Sequence, residues 1–173
     1  MNLRLPILLV VVLAGTGCNR SADLRPLPAE RKAAVESTVR SFVVNVAHDV
    51  TSEGPTAWQK EFADDPAFFM AVDGHLVFPN RQIATQAIQD LPRMIKSIEL
   101  RWGDDLRIDP LTENLAVVAT SYHELQTSPE GHQLTEDGFF TAVAEYRDGR
   151  WQFRDIHWSD PLPPPPVSAA KAQ

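Results

Sequence analysis

The feature that most constrains this chain is a succession of four long β-rich runs in its C-terminal half. They read "KSIELRW", "LAVVATSYHELQT", "EDGFFTAVAEYR" and "RWQFRDIHW", separated by the turn clusters "GDD", "SPEGH" and "RDGR". Strand formers in runs of this length, joined by short links, predict sequential hairpins and therefore an antiparallel meander. The N-terminal half carries the opposite signal. Val35, Val39, Phe42, Val43, Val46 and Val50 recur at spacings of three and four within residues 29–50, the apolar stripe of an amphipathic helix. "GPTAWQKEF" follows a Gly-Pro break and predicts a short second helix carrying Trp58 and Phe62. "PAFFMAV" and "HLVF" predict two short strands joined at Asp73-Gly74, a hairpin turn signal. Residues 80–95 predict a third helix, capped by Asn80 and ended or kinked at Pro92. Helices first and strands later define the α+β class, a curved antiparallel sheet with helices packed on one face.

The two ends read differently from this middle. Arg4, an apolar stretch from Leu5 to Ala14, and the small residues of "LAGTGC" have the layout of a bacterial export signal and are too short for a membrane-spanning helix. The stretch resembles a lipoprotein signal, in which small residues precede a cysteine that becomes the lipidated first residue. Gly15 stands where that pattern favours leucine, with Leu13 two residues further back. Cys18 is the one cysteine of the chain, so an internal disulfide is excluded and lipidation is the reading it supports. Residues 1–17 are thus expected to be the signal, with 18–28, polar and proline-punctuated, as a tether and 29–161 as the single folded domain. Residues 162–173, opening on prolines, are expected to form a loose tail. Asn19 after the cysteine points to the outer membrane, facing the periplasm, rather than inner-membrane retention.

Charge and motifs exclude several functions. The formal charge is −7, with acidic residues spread along the chain, which argues against nucleic acid and against a polybasic membrane patch. Five histidines, His48, His75, His123, His132 and His157, show no HExxH-type spacing, so no metal is expected. Ser41, Ser121 and Ser159 lack a glycine-flanked nucleophile elbow, and no glycine-rich phosphate loop is present. No cofactor is expected.

"FADDPAFFMAVDG", followed by a helix and long strands ending in "DGRWQFRDIHWSD", resembles the nuclear transport factor 2-like superfamily, and within it the SnoaL-like group to which ketosteroid isomerases are related. The resemblance implies a cone: a strongly bent antiparallel sheet wrapped around the N-terminal helices, an apolar pocket at its open end, and homodimers through the sheet. It also implies three chemical positions, and all three are vacant. Eight residues on from Phe62, the isomerase base falls on Met70. The acid that donates to the enolate oxygen falls on Ala142, and the tyrosine of the oxyanion hole falls near Ser41 or Phe42. A thioether cannot accept a proton, so an isomerase mechanism with those residues is excluded.

Strand parity, set by the pocket-lining tryptophan that the resemblance assigns to "WS", places Arg154, Ile156 and Trp158 inside and Trp151, Phe153, Asp155 and His157 outside, unless a bulge at the strand end reverses it. Val118, Thr120 and Tyr122, Phe140, Ala142 and Ala144, and Phe68 and Met70 join the inner set. These side chains either line a small-molecule cavity or fill the cone. Val117, Ala119 and Val143, with Trp151 and Phe153, leave the outer face partly apolar, for which a second copy, or else the chain's own tail, is the expected cover. The leading expectation is a lipid-anchored domain that binds a small apolar ligand or a protein partner without chemistry. The alternatives are an enzyme using Tyr122, Arg154 and His157, or a structural dimerisation module with a filled cone.

Overall fold

The computed structural model describes residues 26–161; Cys18, the signal and the proline-rich tail lie outside them. The order is α1 (Ala29–Glu53), a 3-10 turn (Pro55–Ala57), α2 (Trp58–Glu61), β1 (Phe69–Val72), β2 (His75–Phe78), α3 (Arg81–Asp90), a second 3-10 turn (Leu91–Arg93), β3 (Ser97–Trp102), β4 (Arg107–Thr112), β5 (Leu115–Thr127), β6 (Gln133–Arg147) and β7 (Arg150–Ser159). The strands form one sheet ordered β2-β1-β7-β6-β5-β3, with β4 also on β5. It is a strongly curved, open sheet around the helices, the nuclear transport factor 2-like cone. All pairs are antiparallel except β1 with β7. No helix among the described residues is long and apolar enough to cross a membrane.

The valines of α1 are poor helix formers on their own, because branching at Cβ restricts their rotamers. Packing holds them: Val35, Val39, Val43, Val46 and Val50 are all buried. Gly54, at φ 86, turns the chain out of the helix in a conformation that other residues rarely adopt. Asp73 and Gly74 both have positive φ, which closes the tight β1–β2 hairpin, and Asp148 and Gly149 repeat the device between β6 and β7. Asn80 caps α3, its Oδ1 accepting from the Ile83 amide at 2.9 Å. Pro92 falls in the 3-10 turn that ends the helix.

Two features depart from the sequence reading. "GDD" is not a hairpin turn. β3 pairs with the far half of β5, from Tyr122 to Thr127, and β4 pairs with the near half, from Leu115 to Ala119, so the two are one edge strand interrupted at residues 103–106. Asp105 holds the break, its Oδ1 accepting from the Ser121 amide at 2.9 Å, the Ser121 hydroxyl at 2.8 Å and the Thr120 hydroxyl at 3.1 Å.

The second departure is a bulge within β7 rather than at its end. Val143 faces Asp155 while Ala144 faces Phe153, leaving Arg154 as the extra residue. The bulge preserves the expected inward Ile156 and Trp158 and outward, exposed His157, but reverses everything before it. Phe153 is fully buried, 4.8 Å from the Phe42 ring, and Trp151 turns to α1, donating from Nε1 to the Thr38 hydroxyl at 3.1 Å. Arg154, expected inside, forks onto the Asp155 carboxylate at 2.8 Å. Phe153→Ala is therefore expected to cost roughly 3–5 kcal/mol in denaturant unfolding, and Arg154→Ala at most about 1 kcal/mol. The unbulged parity predicts the reverse order.

Candidate functional site

Trp158 organises the interior. Its ring meets Phe140 at 4.6 Å, Tyr122 at 4.7 Å, Trp58 at 5.7 Å and Trp102 at 5.9 Å, so β5, β6, β3 and α2 converge on one side chain. Trp102 ties this cluster to the long helix by donating from Nε1 to the Val43 carbonyl at 2.7 Å. Phe68, Val118, Thr120, Phe140, Ala142 and Ile156, all expected inside, are buried in this core.

The cone is not filled. A cavity of about 300 Å³ lies between strands β3, β5, β6 and β7 and the segments carrying α2, β1, β2 and α3. Met70, Tyr122 and Trp158 of the expected residues line it, with Phe62, Phe78 and Ile88 among its apolar walls. The sequence reading placed no carboxylate here. The structure places four: Asp73, Glu124, Glu136 and Asp160.

Glu124 and Glu136 sit directly opposite each other on β5 and β6. Gln126 bridges them, its amide donating to Glu124 Oε1 at 2.7 Å and to Glu136 Oε2 at 3.3 Å. Like charges in register repel, and burial in an apolar wall penalises ionisation, so such a pair holds protons tightly. Glu124 is 8% exposed. Burial pushes its carboxyl up to about 7, the Gln126 hydrogen bond opposing and the Glu136 charge adding. Glu136 is also raised, by burial first and then by Asp160 and Asp73. The Tyr122 hydroxyl donates to Asp160 Oδ1 at 2.9 Å, and burial with that carboxylate raises its pKa, so it remains a protonated donor. The Asp160 amide in turn donates to Asp73 Oδ1 at 2.8 Å.

Tyr122 reaches Asp160 because its cross-strand partner is glycine. A Cβ on Gly138 would stand 2.7 Å from the tyrosine ring and 2.3 Å from the Ser159 carbonyl. On the other side of Tyr122 and Asp160 lies a wider groove of about 590 Å³ with Arg101, Ser121, His123 and Asp137. It is the more open of the two, and in it His123 Nδ1 lies 2.7 Å from Asp137 Oδ1. Among the described residues, no three His, Cys, Asp or Glu side chains are grouped as metal ligands would be.

The glutamates were within reach of the parity rule. Two residues beyond Tyr122 on the same strand face is Glu124, and four before Phe140 is Glu136. The inward assignment had stopped at Tyr122 on β5 and at Phe140 on β6.

The sequence matches no protein-family model and no curated protein. The fold does match solved structures. A candidate scytalone dehydratase from Novosphingobium aromaticivorans superposes with a TM-score of 0.67 at 9% identity, over 78% of this chain and 89% of that one. A nuclear transport factor 2-like superfamily protein from Salmonella enterica serovar Typhimurium gives 0.64 at 12% identity, over 82% and 99%. A hexachlorocyclohexane dehydrochlorinase, LinA Type2, gives 0.61 at 14% identity, over 78% and 90%. The class is thus defined at the level of fold: a nuclear transport factor 2-like cone holding an apolar cavity with a carboxylate pair in its wall.

The raised Glu124 pKa has a measurable consequence. A carboxyl at about 7 in the folded state against an ordinary 4.5 stabilises the fold only while protonated, so its cost appears as pH rises above about 4.5 and is complete above about 7. Glu124→Gln is expected to raise the melting temperature by several degrees at pH 8 and to leave it nearly unchanged at pH 4.5, followed by circular dichroism.

Proposed function

We propose that the domain binds a small, largely apolar molecule in the cavity and moves a proton on it, with Glu124 as the general base or acid. The observation that carries this reading is a nine-tenths buried carboxyl in an apolar wall, poised near neutral pH. A base in that condition is strong because it is poorly solvated, and it is matched to the operating pH. Glu136, held by the same Gln126 amide, takes the role of a neighbour whose charge raises the proton affinity of Glu124. Tyr122 is the protonated hydroxyl at the edge of the site. The relatives described as a candidate dehydratase and a dehydrochlorinase carry names of elimination enzymes, and elimination begins with the same kind of proton removal. The binding-only reading is the alternative that the same experiment decides.

The test uses 5-nitrobenzisoxazole, a small apolar carbon acid that opens to a coloured phenolate when a desolvated carboxylate removes its proton. The chain is expected to accelerate this opening with a rate that rises through pH 7, and Glu124→Gln is expected to reduce the rate at least about 100-fold. Quenching of tryptophan fluorescence by the probe, without any rate above that of Glu124→Gln, would leave binding alone.

We also propose that Cys18 carries a lipid that holds this cavity in the bacterial envelope, on the support of the N-terminal sequence alone. Labelled palmitate is expected to enter the full-length chain expressed in a bacterium and to be absent from Cys18→Ser.

A further inference from the structure

The walls of the cavity and its charges suit different parts of one ligand. Trp58, Phe62, Phe78 and Trp158 give it aromatic walls, and Met70 and Ile88 add apolar surface. Its ionisable lining residues are Asp73, Tyr122, Glu124, Glu136 and Asp160, with no lysine, arginine or histidine among them. An apolar cavity whose formal charges are all negative repels carboxylates and phosphates, and leaves its own carboxylates short of a counter-charge.

The hydrogen bonds show where that deficit falls. Asp160 Oδ1 is taken by the Tyr122 hydroxyl and Asp73 Oδ1 by the Asp160 amide. The glutamate pair shares the single Gln126 amide. Among the described residues, Glu124 Oε2 accepts no hydrogen bond, and although the residue is 8% exposed this oxygen is not sealed off as Glu145 Oε2 is, so it opens on the cavity. A carboxylate buried this deeply is ordinarily paired with a cation or surrounded by donors.

We propose that the cavity takes an organic ammonium ion on a small apolar body, the cation seated between Glu124 and Glu136 and the body against the Trp58 and Trp158 rings. This names the ligand class of the site described under Proposed function and rests on that reading of the cavity. Aromatic faces and carboxylates both attract ammonium groups, and neither requires the ligand to be a hydrogen-bond acceptor. A metal ion suits the site less well, since the carboxylates are not grouped as metal ligands.

The pH dependence follows from what faces Glu124. Glu136 stands opposite on β6, Gln126 follows on its own strand, and Asp160 and Asp73 lie across the cavity, while Ile98 and Leu100 of β3 and Ile88 and Leu91 beyond offer no charge. The Glu136 charge raises the affinity of Glu124 for a proton or for a cation that replaces it, and Asp160 and Asp73 do the same for Glu136. A permanent cation therefore displaces the proton, and its binding strengthens as pH rises through the neutral range.

Calorimetry on the full-length chain with benzyltrimethylammonium and its neutral isostere neopentylbenzene separates the outcomes. At pH 8 the cation is expected to bind at least about tenfold more tightly, the advantage shrinking at pH 5. The double variant Glu124→Gln, Glu136→Gln is expected to lose the preference for the cation while retaining the neutral isostere. Equal or tighter binding of neopentylbenzene at pH 8 would overturn the proposal and leave the cavity as a site for neutral molecules. Failure of both probes to bind would remove the cavity reading itself.

Discussion

The structure depends on the packing of the half-buried Trp158 at the meeting point of the sheet and the helices. Its ring touches residues from α2, β3, β5 and β6, and Trp102 carries the contact on to the backbone of α1. Aromatic side chains supply large apolar area with few rotatable bonds, so a cluster of this kind fixes geometry as well as stability. The valine stripe of α1 needs that surface, because valine favours helix only where packing rewards it. The same ring forms part of the cavity wall, so the core and the site share one side chain.

Against this apolar background the carboxylates stand out. Two glutamates in register across adjacent strands, one of them nine-tenths buried, are costly for a sheet to hold. Gln126 offsets part of that cost with one amide. The isomerase-type base and acid positions implied by the sequence resemblance hold Met70 and Ala142, yet ionisable groups enter the same cone from β5 and β6 instead. A shared cone constrains where a cavity forms, and leaves open which strand supplies its chemistry.

Much of the fold was legible before any coordinates. The period of the valines gave α1, Asn80 marked the start of α3, and Asp73-Gly74 announced a hairpin whose two central residues indeed have positive φ. What escaped was the local geometry that periodicity does not encode. "GDD" has the composition of a turn, but Asp105 uses its carboxylate to bind Thr120 and Ser121 and keeps the chain running along the same edge. Arg154 interrupts a strand rich in aromatic residues, and one extra residue exchanged the faces of Trp151 and Phe153. The site was half legible. Trp158 and Met70 followed from the resemblance and Tyr122 from the parity it set, whereas Glu124 and Glu136 were passed over because the inner faces of β5 and β6 were followed only as far as Tyr122 and Phe140. Positions that break a local rule are where function tends to reside.

The central claim is that Glu124 is held by its surroundings near neutrality. Carbon-13 NMR of the glutamate side-chain carboxyls, with Glu124→Gln used to assign the resonance, measures this directly. The account predicts a Glu124 midpoint close to 7, with Glu136 also above the ordinary glutamate range. A Glu124 midpoint near 4.5 would mean that the carboxyl is solvated, and would contradict both the proton-transfer chemistry and the cation site built on it.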